Sequence, residues 1–178
     1  MESAVVTPVL LLLVFGIMEF GFAFRDYLAA ANATRDGARE ASVAGSGLDA
    51  DYRILRSVAR ASASLPDGAI EQLVIWEATG PDDSVPDACR TSGSQAGLCN
   101  VYSSTQLRLA PDNFGCDAGP PADVDIAWCP SEREVSVGSR LDYIGVYIRI
   151  SHEYITGLFG DDITFEDHMI LKVEPQEQ

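Results

Sequence analysis

Residues 4–24, AVVTPVLLLLVFGIMEFGFAF, carry a single charge, at Glu19. As an α-helix this run would extend roughly 31 Å, enough to cross the hydrocarbon core of a bilayer. The pattern does not stop at a polar loop. It continues as RDYLAAANATRDGAREASVAG to Gly45, with helix-forming composition and no proline, so one long helix is predicted over 1–45, apolar at first and mixed afterwards. A helical wheel separates the second half into two arcs. Arg25, Asn32, Arg35, Asp36, Arg39 and Glu40 gather on one, and Phe20, Tyr27, Ala30, Ala33, Thr34, Gly37 and Ala41 on the other. The first suits water. The second is lined mainly with small side chains, which let a neighbouring helix approach closely. Glu19 falls on that small-residue arc, so simple solvation accounts poorly for it.

Beyond the helix the periodicity changes. Gly45, Ser46 and Gly47 form a stop and hinge, with two glycines able to take left-handed conformations, and Asp49 offers an N-cap. Over 50–65, Tyr52, Ile54, Leu55, Val58, Ala61 and Leu65 recur at three- and four-residue steps and predict a second amphipathic helix, ended by Pro66. Residues 69–79 favour a strand, followed by a turn at 80–83. From there to Arg133 the chain reads as mostly irregular, with a short helix or turn near 102–109. Regular structure returns at 143–153, where Ile144, Val146, Ile148 and Ile150 alternate with Tyr143, Gly145, Tyr147, Arg149 and Ser151. Residues 164–173 have the same look and would pair with it. With 73–76 these strands make a small antiparallel sheet. The predicted fold is α+β: a long hydrophobic stalk helix over 1–45, then a head over 46–178 in which one helix packs on the sheet and disulfides hold the loop-rich region 80–133.

Charge and cysteine usage narrow the setting. A net charge of −15 over 178 residues argues against nucleic acid and anionic lipid headgroups as partners. Cys89, Cys99, Cys116 and Cys129 all lie in a Gly/Pro/Asp-rich stretch, which reads as two disulfides formed in an oxidising compartment. Three pairings are open; the sequential one, Cys89 with Cys99 and Cys116 with Cys129, is favoured because each bond closes a short loop. A zinc site is the weaker alternative, since no CxxC spacing occurs. No Ser-His-acid order, P-loop, dinucleotide glycine pattern or HExxH is present, so neither catalysis nor a cofactor is expected. His152 and His168, with Glu153, Glu166 and Asp167 nearby, read as exposed or hydrogen-bonded strand residues rather than metal ligands. The acidic turns at Asp82-Asp83 and Asp161-Asp162 lack EF-hand spacing and read as solvated turns. Asn32-Ala33-Thr34, a formal glycosylation sequon, lies inside the predicted helix and reads as chance. Only Met1, Glu2 and Ser3 precede the apolar run and no small-residue cleavage site ends it, so the helix is expected to be retained.

Several of these residues carry a resemblance. Glu2 with Pro8 six positions later, the leucine-rich run, Gly16-Ile17-Met18-Glu19-Phe20-Gly21 and Ala31-Asn32-Ala33-Thr34-Arg35-Asp36-Gly37-Ala38-Arg39 resemble the TadE-like family of tight-adherence (Tad) pilus proteins, whose wording runs close to VEFALVLPLLL, GIIEFG and NAAREGAR. The likeness covers about the first 45 residues and, more loosely, a closing strand that ends in Val173-Glu174. It implies a structural pilin or pseudopilin, held in the cytoplasmic membrane by 4–24 and then packed into an extracellular surface filament. The partners implied are like or unlike pilin subunits, an inner-membrane assembly machinery, and a prepilin peptidase that cuts ahead of the apolar stretch. Glu2 would help register subunits by neutralising a neighbour's N-terminal amine, because a carboxylate in an apolar setting needs a partner charge. Its closeness to Met1 departs from the family's spacing. Glu19 would either snorkel to the interface or pair with Arg25, Arg35 or Arg39 of an adjacent subunit, and Pro8 would loosen the helix or be a tolerated membrane proline. Ala30, Ala33, Gly37 and Ala41 would set helix spacing, so leucine at Gly37 is expected to block assembly while leaving membrane insertion intact. A head this large favours a minor subunit. The alternative is a single-pass membrane-anchored extracellular binding module that does not polymerise, and a membrane-bound enzyme stands third.

Overall fold

The computed structural model describes residues 2–137 and 140–175, with side chains from Val6 onward. Helix α1, Glu2–Ala44, runs unbroken through Pro8. It stops where Gly45 takes a left-handed conformation at φ 58°. Gly47, also expected to do so, keeps an ordinary φ. Asp49 stands at the N-cap of α2, Ala50–Ala61, but its side chain makes no capping bond. α2 also ends four residues earlier than its periodicity predicts. The Ser62 hydroxyl donates to the Val58 carbonyl at 2.8 Å and the Leu65 N–H to the Ser62 carbonyl at 2.9 Å, so the chain tightens into a turn before Pro66.

Four antiparallel strands form one sheet in the order β2-β1-β3-β4. They are β1 (Ile70–Ala78), β2 (Cys99–Tyr102), β3 (Tyr143–Glu153) and β4 (Asp162–Lys172). β3 and β4 pair without a break from Tyr143 opposite Lys172 to Glu153 opposite Asp162. Leu73, Ile75, Ile144, Val146, Ile148 and Ile150 meet Ile54, Leu55 and Val58 of α2 and the alanines of α1 in one core. The opposite face of the sheet carries Val74, Trp76 and Tyr147, which pack with the Cys89–Cys99 disulfide. Gly145 is required there, because a Cβ would lie 2.2 Å from the Trp76 indole. The expectation of an irregular chain over 80–133 is corrected in part: α3 (Asp87–Thr91) and the edge strand β2 lie inside it. Short 3-10 turns occupy much of the remainder, Gln106–Arg108 among them.

Both disulfides are the sequential ones, Cys89–Cys99 and Cys116–Cys129. Behind them sits a buried polar cluster that joins α2, β2 and the loops. The Asp51 carboxylate accepts bonds from the Tyr102 hydroxyl at 2.6 Å, from Asn100 Nδ2 at 2.8 Å and from the Arg133 guanidinium. Asn100 also ties down the backbone of Trp128 from both sides, and Arg133 stacks over the Trp128 ring at 4.5 Å. Burial, reinforced by the Asp51 charge, pushes the Tyr102 phenol well above its ordinary pKa, so it serves as a proton donor here. Burial also raises the Asp125 carboxyl, against the opposing effect of the Cys116 and Gly115 amides that bond it. Asp51 and Arg133 are buried as a hydrogen-bonded pair, the condition under which buried charge is tolerated.

Candidate membrane and assembly interface

α1 is divided by what covers it. In its first half Val6, Leu10, Leu13 and Ile17 are exposed, Ile17 at 74 % of its surface, and the helix is long and apolar enough to cross a membrane. In its second half Ala30, Ala33, Ala38 and Ala41 are buried, while Asn32, Arg35, Asp36 and Arg39 face outward. The polar arc is therefore where the helical wheel puts it.

The small-residue arc packs against the chain's own head. Ala30, Ala33 and Ala41 belong to the chain's own core, and a Cβ on Gly37 would lie 2.7 Å from Val58 Cγ2 of α2 and 3.3 Å from Val146 Cγ1 of β3. The helix that these small residues admit is α2. Periodicity marks a face for close approach but carries no mark of which chain supplies the approaching surface. Leucine at Gly37 would disrupt this packing within the head, so the substitution changes the fold of the head as well as any surface offered to a neighbour. At the end of α1, the Ser42 hydroxyl donates to the Lys172 carbonyl at 2.7 Å and the Glu174 N–H to the Ser42 carbonyl at 2.9 Å. Glu40 pairs with Arg53 of α2 at 2.7 Å.

Glu19 meets a partner the sequence did not suggest. Its carboxylate is buried and accepts the Ile155 N–H at 3.0 Å and the Thr156 N–H, both from the loop that joins β3 to β4. Within the chain its bonds go to main-chain amides and not to an arginine. Arg25 bonds its neighbour Asp26 instead, and Arg39 lies 3.8 Å from Asp36. Main-chain donors leave no residue signature, so no residue pattern marks them. Next along the helix, Asp26 is buried against His152 Nδ1 at 2.7 Å. Phe159 of the same loop stacks on Phe20 with ring centroids 5.2 Å apart, and a Cβ on Gly16 would touch it at 3.4 Å. The loop thus lies against Gly16, Glu19 and Phe20, over five residues of the helix.

The remaining candidates stay apart. His152 faces α1, whereas His168 lies beside Trp76 on the opposite face of the sheet, with ring centroids 6.2 Å apart. His152 Nε2 is buried and bonded to no protein group, so no nucleophile completes the Asp26–His152 pair. Among the described residues no group of three His, Cys, Asp or Glu side chains is placed to hold a metal ion. Asp83 accepts the Thr79 and Ser84 N–H groups, each at 2.8 Å, and these bonds hold its carboxyl below the usual range. That acid is used by its own turn. Pro8 lies within the unbroken helix, and the Glu2 side chain lies outside the described residues.

No curated protein and no solved structure matches the whole chain or its head. Residues 1–39 match the family model described as TadE-like protein, so what places this chain beside that family is α1 itself, the membrane-length half and most of the half that carries the head.

Proposed function

We propose that the chain is a structural, pilin-like subunit of a Tad or type IV-like surface filament, assembled through the first half of α1. One observation carries the reading: the family match falls on α1, and the large apolar side chains of its first half are left uncovered by the rest of the chain. In the cytoplasmic membrane lipid would cover them. In a filament the same faces of other pilin subunits would, with van der Waals packing rather than transfer from water as the driving force. Residues 1–45 act as the assembly helix and 46–178 as an extracellular head that shares its core with the second half of that helix. Glu2 pairs with a neighbouring subunit's amine, Pro8 loosens the first turns on leaving lipid, and Glu19 contributes to register by fixing where the head sits on the helix. The assembly machinery and a prepilin peptidase are the membrane partners, and no reaction is catalysed by the subunit.

The test is negative-stain electron microscopy of surface-sheared material from cells that carry this subunit and its machinery. Filaments that bind an antibody to the head are expected. Head antigen confined to the membrane fraction, with no small pilin co-purifying, would overturn the reading. It would favour the anchored binding module, for which there is one specific observation: the arc of Ala30, Ala33, Gly37 and Ala41 is already filled by the chain's own head, so α1 beyond the membrane needs no neighbour.

A further inference from the structure

We propose that the β3–β4 loop, residues 154–160, is a membrane-inserting element that seats the head in the lipid leaflet from which it emerges. The inference rests on α1 spanning a membrane and not on whether the chain polymerises. The loop reads YITGLFG, with no charge between Glu153 and Asp161. Ile155 is 73 % exposed, Leu158 53 % and Phe159 41 %, so apolar side chains crowd the tip of an otherwise acidic head.

Depth decides what covers them. The first charges after the apolar run are Arg25 and Asp26, and Gly16, which Phe159 touches, lies about 12 Å before Phe24 along the helix. Were the bilayer boundary at Gly16 instead, residues 4–15 would supply only about 18 Å of helix. The hydrocarbon core needs about 30 Å. The loop therefore lies beside a part of α1 that is itself within the bilayer, and its exposed side chains meet acyl chains there.

The backbone is prepared for that setting. In lipid an unpaired N–H is costly, so irregular backbone at that level needs its polar groups covered by protein or reached by water. Four of the loop's seven N–H groups are covered in this way: those of Ile155 and Thr156 are taken by Glu19, that of Leu158 faces the Thr156 hydroxyl at 3.4 Å, and that of Tyr154 bonds the Asp161 carbonyl at 3.0 Å. Gly157 and Gly160, at φ 66° and 111°, turn the tip back within a few residues. The contact also accounts for an acid inside an apolar helix: Glu19 and the loop amides satisfy each other, and neither needs water.

Insertion of this kind uses apolar surface, and Glu153, Asp161 and Asp162 flanking the loop would repel anionic headgroups, so zwitterionic lipid is sufficient. The full chain is reconstituted in phosphatidylcholine nanodiscs. Its own cysteines are all paired, so Leu158→Cys supplies a single site for a nitroxide label at an exposed position. Power saturation with oxygen and with a water-soluble nickel chelate then reads depth, with Leu13→Cys as the control in the span and Val137→Cys as the control on the exposed head. The label at 158 is expected to collide more with oxygen than with nickel, as at 13 and opposite to 137. Two results would overturn the proposal: nickel access at 158 like that at 137, or low access to both reagents, which would mean that protein covers the tip.

Discussion

The two halves of α1 share one continuous backbone and meet opposite surroundings. Before Arg25 the side chains are large and mostly uncovered. After it the inward positions, apart from Asp26 against His152, are alanine, glycine, serine and threonine, and α2 and the sheet press directly on them. The contrast shows that side-chain size, more than hydrophobicity, separates the two roles. Leucine and phenylalanine offer area to a fluid surrounding that conforms to them. Alanine and glycine offer proximity to a rigid surface that does not. The second half should therefore resist enlargement, and the first, away from the loop contacts at Gly16, Glu19 and Phe20, should accept truncation without consequence for the head.

The most severe way to break this comparison is Gly37→Leu. A bulky side chain where even a Cβ lies 2.7 Å from Val58 is expected to destabilise the head by about 3 kcal/mol or more. Denaturant unfolding of the detergent-solubilised chain, followed by near-ultraviolet circular dichroism, measures it; unchanged stability would mean that the arc is not packed on α2. Ser42→Ala removes the bond to the Lys172 carbonyl and is expected to cost about 1 kcal/mol in the same assay. Glu40→Gln weakens the partly exposed pair with Arg53 and should cost about 0.5 kcal/mol, an effect that fades as salt is added. Smallest of all, Leu13→Ala should leave head unfolding unchanged within about 0.5 kcal/mol. A larger fall there would show that the head's hold on the first half reaches beyond Gly16, Glu19 and Phe20, and the distinction between the halves would collapse.

How much of this was legible beforehand follows from range. The extent of α1 and the strands β3 and β4 rest on local pattern, and the sequence shows them to within a residue or two, whereas it only favours the sequential disulfides among three pairings. β2 was missed because four residues are too few for a period. Its place is set by pairing with β1 and by the bond from Cys99 to Cys89. The Asp51–Arg133 pair joins residues far apart in sequence, and Asp51 looks like any acid in the first turn of a helix. At the candidate interface, the apolar run and the small-residue arc were both visible, but not what covers the arc. The partners of Glu19 were invisible for a different reason, since every residue except proline carries the same N–H.

The β3–β4 hairpin is fastened to α1 at both its ends, Glu19 to the loop and Ser42 to Lys172 and Glu174. Between them α1 rises about 35 Å, and the eleven residues of β4 extend about 36 Å. Hairpin and helix thus act as a ruler and the object it measures. Seven residues added between Glu19 and Ser42 would lengthen the helix by about 10 Å, which three more residues in each strand would match. Insertions and deletions in related chains should therefore occur in both elements together, in a ratio set by the rise of a helix and the rise of a strand.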